Sequence, residues 1–204
     1  MAKSVAKLLA ICMIVGASSA WAASLTPSLV NGLRYGGYVL VMRHASSPTN
    51  PPDRSAADPE NVGLERQLDE KGRSTAEAMG RTFKVTHIPV GEIFSSPTYR
   101  ARETVRLAGF GVPQIVPELG DQGHSMARLE GPGPGAWLRA KVAEKPQPGR
   151  NTIIVTHMPN MVAAFPEEAN GLQDGETLMF KPDGQGHTEL VAKIPIEDWS
   201  EATR

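Results

Sequence analysis

Tyr38-Val-Leu-Val-Met-Arg-His44 sets five apolar or β-prone residues in front of an Arg-His pair, and Ala45-Ser-Ser-Pro-Thr-Asn50 then breaks the pattern. A short apolar run bounded by turn-forming residues reads as a buried strand. Open α/β sheets bind their ligands beyond the carboxyl ends of their strands. A strand at Tyr38–Met42 therefore delivers Arg43 and His44 to a place where a phosphate or other small anion can be held.

On the N-terminal side, Lys3 and Lys7 precede an apolar run from Leu8 to Val15, and Ala20-Trp21-Ala22 fits a small-x-small cleavage pattern. Residues 1–22 are thus expected to be a secretory signal peptide; the run is too short to span a bilayer. Residues 23–204 are then expected to form one domain in the periplasm or outside the cell. The only cysteine, Cys12, lies within the signal. This leaves neither a disulfide nor thiolate chemistry to the mature chain. Losing Lys3 and Lys7 takes the Lys+Arg count from 21 to 19 against 22 Asp+Glu, a net charge of −3. Such a balance, with no basic stripe, argues against a nucleic-acid partner.

On the C-terminal side, strand and helix patterns alternate. A short helix is expected within Ser24–Arg34, where Leu25, Leu29, Val30 and Leu33 share a face, and a long loop over 45–63. Leu68–Gly72 opens a helix whose apolar face is Ala76, Met79, Gly80 and Phe83. A strand at Glu92–Ser95 leads into a helix with Ser96 as N-cap and Pro97 at its first position, stopping near Gly109. A third strand covers Gln114–Leu119, Gly131–Gly135 is a rigid connector, and Ala136–Lys145 is helical. Asn151–Thr156 is the most apolar strand and ends at His157; a short helix around Asn160–Phe165 follows. Thr177–Lys181 and Glu189–Ile194 form a hairpin across Pro182–Gly186. The expected fold class is α/β: three layers, α/β/α, with a mostly parallel central sheet and an antiparallel C-terminal hairpin.

Two strands thus end in histidine, His44 and His157, and a third runs into Ser95-Ser-Pro-Thr-Tyr-Arg100, which puts Arg100 in the first turn of a helix. Helix N-termini attract anions, and arginine supplies a planar fork suited to phosphate oxygens. Two arginines and two histidines from distant segments make a small basic pocket.

Those residues carry a resemblance to the histidine phosphatase superfamily, whose fold is phosphoglycerate-mutase-like. Its Arg-His-Gly strand end is matched by Arg43-His44, with Ala45 in place of Gly. Its Ser-x-x-x-Arg-Ala-x-x-Thr helix start is matched by Ser96–Thr104, and its apolar strand closing on histidine by Ile153–His157. The Leu-x-x-x-Gly-x-x-x-Ala start is present as Leu68–Ala76. The four motifs stand in order between about Tyr38 and Ile194.

The resemblance implies that His44 is a nucleophile that becomes phosphohistidine, while Arg43, Arg100 and His157 hold the phosphoryl oxygens. With charge neutralised by arginine, neither metal nor other cofactor is expected. The proton donor stays open among Asp121, Glu118 and no residue at all. Asn50, His124 and Glu176 are further candidates for contact with substrate. The segment after His44 lacks the Glu of the mutases, and at this length their insertions are absent. The expectation is an exported phosphomonoesterase for a small phosphorylated substrate such as a sugar phosphate, with no membrane span in the mature chain. Two rivals remain. One is a non-catalytic phosphate-binding protein on the same fold. The other is a metal-dependent hydrolase using His44, His157 and His124 or Asp121, which no His-x-His or His-Glu-x-x-His motif supports.

Overall fold

A computed structural model describes residues 25–48, 62–121, 123, 133 and 135–201. The expected signal peptide, most of loop 45–63, Asn50 and His124 lie outside the described residues. Among the described residues six helices, α1 (Pro27–Tyr35), α2 (Glu70–Val85), α3 (Tyr99–Leu107), α4 (Ala136–Val142), α5 (Met158–Ala164) and α6 (Asp198–Glu201), surround one sheet. Its strands are β1 (Val39–Arg43), β2 (Val90–Ser95), β3 (Gln114–Ile115), β4 (Asn151–Thr156), β5 (Thr177–Pro182) and β6 (Thr188–Ile194).

The strand order is β3-β2-β4-β1-β5-β6. The first four are mutually parallel; β5 runs antiparallel to β1, and β6 antiparallel to β5. This is the expected α/β class, with the C-terminal hairpin completing a mostly parallel sheet.

β1 reads as a continuous apolar run because both its faces are covered. Leu40 and Met42 enter a core with Met79 and Phe83 of α2, Val105 of α3 and Trp199 of α6. Val39 and Val41 point the other way, toward Leu138 and Val142 of α4 and Met161 of α5. These four of the five β1 side chains are at most 1% exposed. At about 1.5–3 kcal/mol per buried aliphatic side chain, this strand alone contributes several kcal/mol of burial.

The structure corrects three local expectations. The helix after β2 begins at Tyr99, with Thr98 in the N-cap conformation (φ −62°, ψ 145°). Ser96 is not the cap, because its backbone N–H is still tied to Val155 O in the sheet (2.9 Å). The third strand is only Gln114–Ile115; Pro117 lacks an N–H for the ladder, and the chain turns there into a 3-10 turn, Pro117–Leu119. α4 stops at Val142, three residues short of Lys145. The C-terminal α6 has no counterpart among the expected elements: Trp199, fully buried, fills the gap beside Phe83 (ring centroids 5.0 Å).

Candidate active site

The sheet register assembles the site. Arg43 pairs with Thr156, so the next residue of each strand, His44 and His157, emerges beside the other at the carboxyl edge. Their ring centroids are 5.1 Å apart. On the far side of β4, Ser95 pairs with Val155, which brings Ser96 alongside His157.

The hydrogen bonds fix the state of each ring. His44 Nδ1 lies 2.8 Å from the Ala45 carbonyl, which can only accept, so this nitrogen carries the proton. Nε2 then presents a lone pair, which accepts from Arg100 Nε at 3.3 Å. Burial pushes the His44 imidazole down to about 3, assisted by the charges of Arg100, Arg66 and Arg43 and opposed by the Ala45 carbonyl. It is therefore a neutral base at ordinary pH. His157 is the complement: its Nδ1 accepts from Arg100 Nη2 at 3.3 Å, which leaves Nε2–H to donate to Ser96 Oγ (2.8 Å) and Thr98 Oγ1 (3.2 Å). Burial, and then Arg100, holds it well below the usual histidine range.

Arg100 is buried by α3 and makes an ion pair with Asp121 (Nη2 to Oδ2, 2.9 Å). Asp121 is held in place from β4 and α5. Thr156 Oγ1 donates to Leu119 O (2.9 Å), and Asn160 Nδ2 donates to Gly120 O (2.6 Å). Thr104, the last residue of the Ser-x-x-x-Arg-Ala-x-x-Thr motif, accepts from Ala45 N–H (3.1 Å) and so anchors the residue that orients His44.

Arg43 sits at the rim. Its guanidinium donates to Leu172 O (2.9 Å) and pairs with Asp174 (2.6 Å).

A cleft of about 510 Å³ opens over these groups, lined by Arg43, His44, Arg66, Arg100, Asp121 and His157 together with residues of α5. Of the expected site residues, the structure brings together His44, Arg43, Arg100, His157 and Asp121. Glu118 is exposed on the 3-10 turn and does not line the cleft. Glu176 lines a neighbouring cavity beyond Arg43; its carboxylate accepts from Gln173 N–H (2.9 Å) and its carbonyl from Arg43 N–H (3.1 Å).

Arg66 does not stand out in the sequence. Its Nε donates to Ser47 Oγ (2.8 Å), and Ser47 Oγ donates to Gln67 O (2.8 Å), which ties the segment after His44 to the one before α2. Glu65 beside it is buried and accepts from Tyr99 N–H at 2.6 Å. A carboxylate of the protein thus occupies the N-terminal end of α3 that the sequence suggested for an anionic ligand. Neither residue lies in a motif; an Arg between a loop and a helix carries no periodic signal. Among the described residues no group of three His, Cys, Asp or Glu side chains is placed to hold a metal.

Residues 39–125 match the family model described as histidine phosphatase superfamily (branch 1). Among curated proteins none matches this chain. Solved structures share the fold. One is the protein histidine phosphatase SixA complexed with tungstate, with 18% identity, TM-score 0.53, and coverage of 79% of this chain and 98% of that one. Another is a phosphoserine phosphatase mutant from Entamoeba histolytica in complex with phosphoserine, with 14% identity, TM-score 0.52, and coverage of 79% and 98%. The family match thus covers residues 39–125, and over the rest of the chain the likeness to these phosphatases is one of fold.

Proposed function

We propose that this protein is an exported phosphomonoesterase working through a phosphohistidine on His44, with no metal ion. The observation that carries the proposal is the tautomer of His44. Its Nδ1–H is held by the Ala45 carbonyl, so a neutral Nε2 lone pair lies in a cleft that also holds three guanidinium groups.

Chemistry follows from that arrangement. The dianionic phosphoryl group displaces the Arg100 contact from His44 Nε2, and Arg100, Arg66 and Arg43 take its equatorial oxygens. Nε2 forms the P–N bond as the ester P–O bond breaks, and the electron pair leaves on the alcohol oxygen. Water then attacks phosphorus from the side the alcohol vacated, which regenerates neutral His44 and phosphate. Phosphoryl transfer asks mainly for positioning and charge neutralisation, and the arginines that line the cleft supply both.

Asp121 occupies the place of a proton donor, but its carboxylate is engaged by Arg100, and a carboxylate in an ion pair has no proton to give. We assign it to holding Arg100, with the leaving oxygen protonated from solvent. The same pairing favours the second reading, a phosphate-binding protein without turnover.

Export rests on the signal-like pattern of residues 1–22. Among the described residues no helix is long and apolar enough to cross a membrane. The test is release of inorganic phosphate from a panel of monoesters by the purified protein, compared with His44→Ala. Phosphate release that depends on His44 supports the enzyme. Stoichiometric phosphate binding with no release supports the binding protein.

A further inference from the structure

The cleft's lining is of two kinds. Besides the charged and imidazole groups it consists, among the described residues, of one face of α5: Met158, Pro159, Val162 and Ala163. Positions i, i+1, i+4 and i+5 share a helix face, and these four side chains contain no hydrogen-bonding N or O and no charge. The opposite face of the same helix sends Met161 and Ala164 into the core. Val162 is not needed there and stands 37% exposed. Met158 also packs against that core, but core packing does not account for Val162 and Ala163 on a face that lines a cleft with three arginines.

A polar alternative exists nearby. Beyond Arg43 lies a cavity of about 480 Å³ lined by Ser46, Lys71, Thr75, Gln173, Asp174 and Glu176, among others. Arg43, fixed by Asp174 and Leu172 O, lines both spaces. A polyol would find partners in that cavity. It finds none on α5.

We propose that the α5 ledge is the leaving-group subsite, and that the preferred substrates are phosphomonoesters of alcohols with an apolar surface and not of polyols. This rests on the phosphatase reading above. With three phosphoryl oxygens turned to the arginines, the fourth substituent points to the remaining lining of the same cleft. Binding pockets gain most of their contact from apolar walls and use a few polar groups to fix orientation.

Hexyl phosphate and sorbitol 6-phosphate test this, since both carry six carbons and leave as primary alkoxides. The expected result is a kcat/KM at least tenfold higher for hexyl phosphate. In Val162→Asn the ratio of the two falls about tenfold, mainly through KM for the hexyl ester, in line with the effect of one apolar group in a pocket. Val162→Ala moves the ratio the same way by less. Val112→Asn, at a position 94% exposed and outside the cleft, leaves it unchanged. Thermal melts verify that each variant is folded. Preference for the sorbitol ester, or equal loss on both esters in folded Val162→Asn, overturns the subsite alone. Failure of the wild-type protein to hydrolyse any ester overturns the phosphatase reading and the subsite with it.

Discussion

Arg100 and Asp121 form an ion pair of 2.9 Å with their side chains only 3% and 2% exposed. Removing one partner of such a pair strands a charge out of water, which costs about 3–5 kcal/mol. Asp121→Ala is expected to lower the urea-derived unfolding free energy by that amount. Asp121→Asn, which keeps an acceptor for Arg100, is expected to cost less. For catalysis the same assignment predicts that Asp121→Asn slows 4-nitrophenyl phosphate and an alkyl phosphate by similar factors, because Arg100 is what it disturbs. A loss confined to the alkyl ester would identify Asp121 as the proton donor instead.

The two buried histidines make stability depend on pH with a definite sign. His44, lowered to about 3, and His157, also lowered, are neutral in the fold, whereas in the unfolded chain they titrate near 6.5. Below 6.5 the unfolded chain takes up protons that the fold refuses, so stability is full above 6.5 and falls as pH drops toward 3. Each histidine contributes a slope of up to about 1.4 kcal/mol per pH unit. Urea unfolding between pH 7 and 4 measures the slope, and His44→Asn is expected to reduce it by about one proton. An unchanged slope would mean that His44 is not buried neutral.

Arg66 donates through Nε to a serine hydroxyl and forms no salt bridge among the described residues, unlike Arg43 and Arg100. Burial, and then Arg100, pulls its guanidinium below the usual arginine range, as expected where positive groups converge. Arg66→Gln is predicted to lower kcat/KM roughly 10- to 100-fold, the worth of a charge-assisted hydrogen bond of about 1.5–3 kcal/mol. Little change in thermal stability is expected. Steady-state kinetics together with a melt tests both halves.

Gly72 shows how closely the segment that follows His44 is packed. A Cβ there would fall 2.1 Å from the Ser46 carbonyl oxygen, while Asp69 holds Ser46 through its carboxylate (2.7 Å) and through its backbone N–H to that same carbonyl (3.1 Å). Gly72→Ala must push Ser46 away, and with it the segment that follows His44. We expect a loss of about 1–3 kcal/mol from overpacking and a fall in kcat. An alanine variant as stable and active as the parent contradicts this contact.

Much of the fold is legible in order along the chain. β1 and β4 are apolar on both faces and end at histidines, so their strand character and the position of His44 and His157 follow from the residues alone. Glycine at position 72 belongs to the Leu68–Ala76 match, and its close approach to Ser46 supplies the reason. Register, however, is a property of pairs. Only the alignment of Arg43 with Thr156 and of Ser95 with Val155 shows that Ser96 faces His157 and is not a helix cap. Arg66 and Glu65 have no signal in the sequence because cross-ties from Ser47 and Tyr99 place them, and such contacts leave no local pattern. The ion pair of Arg43 and Asp174 is hidden for the same reason, since the two lie far apart in sequence.

The central claim is that His44 Nε2 attacks phosphorus. Mixing the protein with a phosphomonoester labelled in the phosphoryl group, quenching in base within milliseconds and mapping the label tests it most directly. We predict label on His44 that is stable in base, lost in acid and absent from His44→Ala, whose turnover falls at least a thousandfold, as roughly expected on removal of a covalent nucleophile. Turnover that persists in His44→Ala, or label that survives acid, contradicts the account.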